Sequence, residues 1–257
     1  MAHQFFSAAL GEATAGGLVE LTGTEAKHAA TVSRVRVGEQ LRVSDGHGVV
    51  VVGSVEAASG SSVVVRVAYR LDVPAASPRL TLVQALAKGD RDELAVQAAT
   101  ELGVDAVIPW AAGRSVSRWD ESKAIKGRAR WQSIVDEASK QSLRAWTPAV
   151  APIHRTKELA ELAAAGARIL VCVPNAPHSV ADVPLDGRDI ALVIGPEGGI
   201  EPAEIDTLVA AGAEVVRLGS EVLRTSTAGP AAIAVLASRL GRWATDVGSD
   251  ERTTMKP

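Results

Sequence analysis

The chain has few of the residues that mark several common classes of protein. With a single cysteine, Cys172, among 257 residues, it can form no internal disulfide and no metal site made of several cysteines. Aromatic residues make up only 3% of the chain, and no apolar run approaches the roughly eighteen residues of a membrane span. The first residues also lack the charged-then-apolar order of a signal peptide. These absences predict a cytoplasmic globular protein that does not enter a membrane and has no metal site made of several cysteines.

Neither sign of charge dominates, since 27 Lys and Arg face 30 Asp and Glu, for a formal net charge of -3. A protein with this balance can bind nucleic acid only through a local basic patch. Between Arg114 and Arg144 basic residues outnumber acidic ones. This segment is compatible with RNA contact and equally with an ordinary solvated helix face.

The amino-terminal part has the pattern of a small β-domain. Over residues 18–71, short β-branched runs alternate with turn residues, and the Asp45-Gly46 pair between two runs is a strong hairpin signal. We therefore predict a small antiparallel barrel or sandwich in a first domain, residues 1–72. Two prolines interrupt regular structure in segment 73–79, which predicts a linker between domains.

The rest of the chain has a different sequence pattern, in which short apolar runs alternate with helical stretches. This alternation predicts a parallel α/β sheet covered on both faces, over residues 80–244. The first helix is expected to bury the face formed by Leu94, Ala98 and Leu102. The polar tail, residues 245–257, has no periodicity and is predicted to be disordered.

The most informative string is a glycine-rich loop that directly follows a buried strand, Ile194-Gly195-Pro196-Glu197-Gly198-Gly199. In open α/β sheets such loops form the ligand crevice, because glycine lets the backbone approach a ligand closely. The loop is neither a Rossmann fingerprint nor a P-loop, which disfavours a nucleotide-dependent enzyme. By itself the string is compatible with a ligand site and equally with a tight turn. Pro202 is expected in the first turn of the next helix.

A second strand leads into the loop 218–224, and an apolar helix follows. Thr225 or Thr227 is expected to cap that helix. Arg224 stands at an apolar junction between strand, loop and helix, where a guanidinium needs an anion, a carbonyl or a carboxylate as its partner.

In this order the strings resemble the SPOUT superfamily of RNA methyltransferases, in particular its RsmE-type 16S ribosomal RNA uracil-N3 branch. The resemblance runs over nearly the whole chain, and its specificity comes from the ordered set. The other matching segments are His28–Gly38, Gln84–Arg91, Ala99–Val104, Arg114–Val116, Arg130–Trp131, Glu137–Ser142 and Leu223–Ala228. The chain departs from the family at Ser220-Glu221, where Pro-Arg is frequent, and at Ser226, where Glu is common, so roles of those family residues are not transferred.

The resemblance implies a PUA-like RNA-binding barrel followed by an α/β domain with a trefoil knot. It also implies S-adenosylmethionine as the cofactor. It further implies a homodimer, and the weakly charged apolar helix after Pro230 favours this association as well. The implied cofactor residues belong to three loops: Val171, Cys172, Val173 and Pro174; Ile194, Gly195, Pro196, Gly198 and Gly199; and Leu218, Gly219, Ser220, Val222, Leu223 and Thr227.

The implied reaction is methylation of uridine N3 in 16S ribosomal RNA, without a metal. N3 must lose its imide proton, which requires a proton acceptor and a cation near the carbonyl oxygens. Arg224 is the expected cation. Glu197 is a candidate base or substrate anchor, and the alternative for it is bonding to backbone amides within its own loop. The alternative for the whole chain is a non-catalytic RNA-binding assembly factor. RNA contacts are expected from His28, Arg34 and Arg36, for which the alternative is an ordinary surface position. Lys88, Arg91 and Arg114 are expected near the RNA or at the junction between the domains.

Overall fold

The computed structural model describes residues 3–244, and the tail 245–257, predicted to be disordered, lies outside the described residues. The chain forms two compact units. The first takes in the described residues up to Ala75 and, in addition, the segment Ser139–Thr147. The second takes in Ala76–Ala138 and the described residues from Pro148 onwards. No feature of the sequence pattern indicated that Ser139–Thr147 belongs with the first unit.

The first unit is built on a five-stranded sheet in the order β1-β3-β4-β5-β2. Its strands are β1 (His3–Phe6), β2 (Leu18–Thr22), β3 (Gln40–Ser44), β4 (Val49–Ala58) and β5 (Ser62–Asp72). The pairs β3–β4, β4–β5 and β2–β5 are antiparallel, which confirms the predicted pairing. At one edge, β1 pairs with β3 in parallel. Between β2 and β3 lies a short helix, α1 (Gly23–Lys27), continued by a π-helical turn, His28–Val32, which the all-β prediction did not include.

The predicted hairpin forms between β3 and β4. The carboxylate of Asp45 accepts hydrogen bonds from the backbone amides of His47 (2.7 Å) and Val49 (3.0 Å). Gly46 has a φ of 73°, a left-handed conformation that glycine adopts without steric cost. An aspartate followed by a glycine therefore supplies both the hydrogen-bond acceptor and the backbone conformation that this turn needs.

The segment Ser139–Thr147 completes the first unit. Lys140 Nζ lies 2.6 Å from the Glu25 carboxylate and 5.3 Å from the centroid of the Phe6 ring. Trp146 Nε1 donates to Val73 O at 2.8 Å. The Trp146 indole packs on Gly48, where a Cβ would lie 2.8 Å from the ring. Lys140 is thus a packed, paired residue of the first unit and not an open member of the basic segment noted in the sequence.

The second unit contains a seven-stranded sheet in the order β10-β12-β9-β11-β6-β7-β8. Its strands are β6 (Leu80–Ala85), β7 (Ala106–Trp110), β8 (Ala149–Val150), β9 (Arg168–Cys172), β10 (His178–Ser179), β11 (Ile190–Ile194) and β12 (Glu214–Arg217). The helices are α2 (Arg91–Glu101), α3 (Glu121–Gln141), α4 (Thr156–Ala164), α5 (Pro202–Ala210) and α6 (Thr225–Arg239), with a 3-10 turn at Val180–Asp182. Every paired strand is parallel, as predicted.

The central strand β11 is buried at every position, because helices cover both faces of the sheet. Ile190, Leu192 and Ile194 point into a core shared with α2, α3 and α6. Ala191 and Val193 point to the opposite face, into a core shared with α4 and α5. Alternation along the strand thus divides one apolar run between two hydrophobic cores.

The buried face of α2 differs from the predicted one. Leu94 is 56% exposed, whereas Ala95, Val96 and Ala99 are fully buried. Val96 and Ala99 share a core with the buried residues of α6, and their small size allows the two helices to approach closely. The prediction was wrong because it chose the buried face from the position of Leu94, the largest apolar residue of α2. The residues that fit the contact with α6 are smaller.

The parallel arrangement determines where a ligand can bind. The carboxyl ends of β12, β9 and β11, neighbours in the sheet, lie at the same edge. The three loops that follow these strands therefore meet there, which is the usual place of a ligand crevice in an open α/β sheet. The knotted path implied by the resemblance stays a prediction.

Candidate active site

The loops after β9, β11 and β12 surround a cavity of about 490 Å³. Most of the cofactor residues implied by the resemblance line it, namely Cys172, Val173, Pro174, Ile194, Gly195, Pro196, Gly199, Leu218, Gly219, Val222 and Leu223. Both candidate catalytic residues, Glu197 and Arg224, also line it. The structure thus brings together groups from three separate stretches of sequence.

Four of the implied cofactor residues do not line the cavity. Val171 is fully buried in the core shared with α4 and α5. Gly198 lies against Arg114, whose guanidinium donates to Gly198 O at 3.1 Å. Ser220 is exposed, and Thr227 lies in the first turn of α6, where its amide donates to Arg224 O at 2.8 Å. Gly198 therefore leaves room for the side chain of Arg114, which packs against the glycine loop.

The glycine loop is both a tight turn and a cavity wall. The amide of Gly199 donates to Pro196 O at 2.9 Å, and its φ is 72°. No atom lies within 4 Å of the position that a Gly199 Cβ would occupy. At Gly195, a Cβ would lie 2.6 Å from the Ile200 side chain, so packing requires glycine there. The predicted start of the next helix at Pro202 is confirmed.

Glu197 is held in place by the loop that precedes α2. Its Oε1 accepts from Arg91 Nη1 at 2.7 Å and from the backbone amide of Lys88 at 3.1 Å. Partial burial acts to raise the pKa of Glu197, but hydrogen bonds from Arg91 and from backbone amides, together with the charge of Arg91, lower it below its usual range. Glu197 thus interacts with its own amide in the glycine loop, as the sequence suggested, and also with the amide of Lys88 in a different loop, which the sequence did not suggest.

Arg224 is the residue before the first turn of α6, with extended backbone angles. Its side chain is exposed at the cavity and makes no hydrogen bond to any part of the chain between residues 3 and 244. The sequence argument had required a partner for a guanidinium in apolar surroundings, but an exposed guanidinium is hydrated and needs none. Arg224 therefore presents to the cavity a guanidinium that has no ion-pair partner among residues 3–244.

The expected cap of α6 by a threonine side chain is wrong. Thr225 is the first helical residue, and its hydroxyl donates to Gly195 O at 2.8 Å and accepts from Gln84 Nε2 at 2.9 Å. The predicted set missed Thr225 as a cavity residue, together with Arg217 and Glu221. Arg217 could have been included from the sequence, because the predicted strand 214–218 contains it and the observed strand β12 ends at it, at the same edge of the sheet.

Cys172 lines the cavity as a thiol. Burial raises the pKa of Cys172 to about 12, so the group stays protonated near neutral pH. A thiol reacts as a nucleophile in its deprotonated form. Cys172 therefore contributes an apolar surface to the cavity wall and does not compete for an electrophile bound beside it.

The expected RNA-binding residues of the first unit differ in exposure. Arg34 and Arg36 are exposed, and neither guanidinium has a hydrogen-bond partner within residues 3–244. Arg34 has a φ of 53°, which places it in a sharp turn. The ring of His28 packs edge-on against Phe5, with ring centroids 5.9 Å apart. The two arginines are thus available for an external anion, whereas His28 is partly committed to the core.

In the second unit, two of the three expected RNA-binding residues contact the glycine loop. Arg91 pairs with Glu197, and Arg114 donates to Gly198 O. The side chain of Lys88 is exposed. Over residues 3–244, no helix has the length and apolar character needed to cross a membrane, and no three His, Cys, Asp or Glu side chains form a group suited to a metal ion.

Comparisons with known proteins identify the family. A sequence model of an RNA methyltransferase domain matches residues 75–237, and one of an RNA methyltransferase PUA domain matches residues 21–68. Ribosomal RNA small subunit methyltransferase E of Mycobacterium tuberculosis is 42% identical over 233 residues, which cover 89% of each chain. The chain belongs to the ribosomal RNA small subunit methyltransferase E family.

Other members of this family support the assignment. The enzyme of Bacillus subtilis is 31% identical and covers 81% of this chain and 85% of its own length. The crystal structure of the Neisseria gonorrhoeae enzyme bound to S-adenosyl methionine matches with a TM-score of 0.83 at 29% identity, over 93% of this chain and 98% of that one. Membership in the methyltransferase E family confirms the predicted enzyme class and the predicted combination of a PUA-like unit with an α/β unit.

Proposed function

We propose that the chain methylates N3 of a uridine in 16S ribosomal RNA of the small subunit, with S-adenosylmethionine as the methyl donor. The observation that carries this proposal is the cavity of about 490 Å³ between three strand-end loops in a member of this methyltransferase family. Its volume falls within the roughly 300 to 1,000 Å³ of typical small-molecule sites.

The residues of the cavity suit this cofactor. Val173, Ile194 and Leu218 offer apolar surface against which a purine ring can pack, and Gly199 leaves its side of the cavity open. Cys172 stays protonated and unreactive. When bound, the cofactor supplies an electrophilic methyl group, and the protein needs no metal to activate it.

Arg224 is suited to stabilise the substrate as its proton leaves. Uracil N3 lies on the Watson–Crick edge, so the base must be unpaired when it enters the site. Loss of the N3 proton spreads negative charge onto the neighbouring carbonyl oxygens. The guanidinium of Arg224 faces the cavity without a protein partner, and a planar donor of this kind can bind such an oxygen strongly in a partly dry site.

Glu197 is better suited to an anchoring role than to proton transfer. Its lowered pKa keeps it ionised at neutral pH and makes it a weak acceptor for the N3 proton. Through Arg91 and the amide of Lys88 it joins the glycine loop to the start of α2. We assign Glu197 to holding this wall of the cavity in place.

The enzyme is further proposed to act as a homodimer in the cytoplasm, where its ribosomal substrate is assembled. In the cavity wall, Val222 is 76% exposed and Leu223 is 37% exposed, an apolar surface that a second subunit would cover. The apolar helix after Pro230 does not supply this surface, because Ile233 and Leu236 pack into the core of their own unit. Light scattering at micromolar concentration should give twice the chain mass.

Two measurements test the function. Calorimetry should detect binding of S-adenosylmethionine, and small subunits from cells that lack the enzyme should gain 3-methyluridine when incubated with protein and cofactor. The methylated position is then identified by nucleoside analysis and primer extension. Cofactor binding without methyl transfer would favour the non-catalytic assembly factor. Absence of binding would refute the proposal.

A further inference from the structure

A buried polar pair lies behind the wall of the cavity. Gln84, near the carboxyl end of β6, is 0% exposed, and Thr225 is also buried. Gln84 Nε2 donates to Thr225 Oγ1 at 2.9 Å, and Thr225 Oγ1 donates to Gly195 O at 2.8 Å. A chain of hydrogen bonds thus runs from the central sheet through the start of α6 to the glycine loop. We call this chain the Gln84–Thr225 relay.

The relay has a defined direction. Gln84 Nε2 also donates to Ala85 O at 3.1 Å, and a flipped amide would place two acceptor oxygens against each other. Since Gln84 donates to the Thr225 hydroxyl, that hydroxyl has its own proton left to give, and Gly195 O receives it. Only one orientation of the Gln84 amide and one of the Thr225 hydroxyl therefore give each of these donors an acceptor.

The same arrangement has a cost to stability. Gln84 Oε1 is buried and has no hydrogen-bond partner among residues 3–244. A buried acceptor without a partner destabilises the folded state, and an apolar side chain of similar size would avoid this penalty. A residue that breaks a rule of packing at the edge of a functional cavity indicates a role beyond folding.

Two of the three members of the relay reach the cavity. Gly195 and Thr225 line it, and Thr225 directly follows Arg224. Because the hydroxyl of Thr225 is fixed to the glycine loop, the backbone of Arg224 is fixed relative to that loop. We infer that Gln84 and Thr225 are positioning residues, which hold the glycine loop and Arg224 at a set separation across the cavity. The inference deepens the function proposed above and rests on it.

Hydrogen–deuterium exchange of the protein without cofactor tests the relay directly. Thr225→Val removes the hydroxyl at nearly constant volume, whereas Thr225→Ser retains it. We expect exchange in residues 195–199 to accelerate on the order of tenfold in Thr225→Val and to stay at the wild-type rate in Thr225→Ser. Thr100→Val is a matched control, because Thr100 is also buried and donates to Val96 O at 2.8 Å but does not line the cavity.

Single-turnover methyl transfer and thermal melting complete the test. Thr225→Val and Gln84→Met should each lower the rate on the order of tenfold, and Thr225→Ser should recover it. Gln84→Met should nevertheless change the Tm little, since removal of the unpaired acceptor offsets the loss of the two hydrogen bonds that Gln84 Nε2 donates. Wild-type exchange and rate in Thr225→Val, or a rate loss in Gln84→Met that tracks a loss of Tm, would overturn the inference. If the wild type does not bind S-adenosylmethionine, the proposed function fails, and the exchange result alone decides on the relay.

Discussion

At the scale of single residues, Arg224 has the clearest expected effect. The negative charge that it would meet exists only after N3 has begun to lose its proton, so the residue should act on the transition state. Arg224→Ala should lower kcat about a hundredfold or more, with little change in the cofactor dissociation constant. Arg224→Lys should recover only part of the rate, because a point charge cannot replace a planar fork of donors.

Single-turnover kinetics and calorimetry measure these two effects separately. Arg188→Ala is the matched control, because Arg188 is an exposed arginine that pairs with Asp186 at 2.7 Å outside the cavity. If Arg224→Ala loses cofactor affinity in proportion to activity, Arg224 is a binding or structural residue, and the charge on the substrate must be met by another group.

Glu197 leads to a prediction about pH. Its folded-state pKa is lowered, so its pairing with Arg91 stabilises the fold above its usual pKa and is lost as the pH falls through the lowered value. Near neutral pH it is already ionised. The rate should therefore rise with pH through neutrality because the imide ionises, and Glu197→Gln should keep this rise with a rate only several-fold lower. A wild-type rate that stays constant with pH near neutrality, together with a rate loss of about a hundredfold or more in Glu197→Gln, would identify Glu197 as the base.

The residue types of the site were predictable from the sequence, but their partners were not. Glu197 and Arg224 stood out because charged residues in apolar loops are unusual. That Glu197 pairs with Arg91, and that Arg114 lies behind Gly198, follows from loops that only the sheet order brings together. Gln84 appeared only as the first residue of a segment that matches the family, and its role gave no signal, because a polar residue in an apolar strand has no visible partner until the fold is known.

At the scale of elements, the glycine loop should be sensitive to side-chain volume on its cavity side. Asparagine tolerates the left-handed conformation of Gly199, so Gly199→Asn should preserve the turn and place its side chain in the cavity. We expect cofactor affinity to fall at least about tenfold while the Tm changes little. Calorimetry and thermal melting provide the two measurements.

Gly241→Asn is the control for this substitution. Gly241 has a φ of 70°, close to the 72° of Gly199, and has open space where a Cβ would lie, but it does not line the cavity. The Gly241→Asn variant should bind the cofactor with the same affinity as the wild type. Undiminished affinity in Gly199→Asn would show that the cofactor does not approach this loop.

Elements with a strong period were predictable, and contacts between elements were not. Five of the seven strands of the second unit and the Asp45-Gly46 hairpin follow from local patterns of apolar and turn residues, whereas the two-residue strands β8 and β10 were not predicted. The buried face of α2 depends on how closely α6 approaches, which spacing alone does not reveal. The position of β1 beside β3 is likewise a pairing between distant segments.

At the scale of the whole molecule, binding of RNA should depend steeply on salt. Each phosphate contact adds roughly 0.7 to 0.9 to the slope of log affinity against log salt. Replacing Arg34 with Asn, which suits its φ of 53°, and Arg36 with Ala should flatten this slope by one to two contacts and leave cofactor binding unchanged. Filter binding over a salt series measures the slope. An unchanged slope would direct attention to the segment between Arg114 and Arg144.

Neither a knotted path nor association into a dimer can be predicted from local sequence patterns. A knotted path is a property of how the whole chain is threaded, and no periodicity or motif encodes it by itself. Association into a dimer depends on which apolar groups remain exposed after folding. The helix that looked unpartnered in the sequence is buried, while Val222 and Leu223 in the cavity wall are exposed.

The segment Ser139–Thr147 belongs to the first unit, so this unit cannot be completed until that segment has been synthesised. Residues up to Ala75 leave the ribosome before this segment exists, and translation of the intervening stretch takes roughly 3 to 13 seconds at bacterial rates. During that interval Glu25 lacks Lys140, and the surface over Gly48 lacks Trp146. The part of the protein that is synthesised first therefore matures late, and nascent chains halted before residue 139 should stay sensitive to proteases that spare the completed protein.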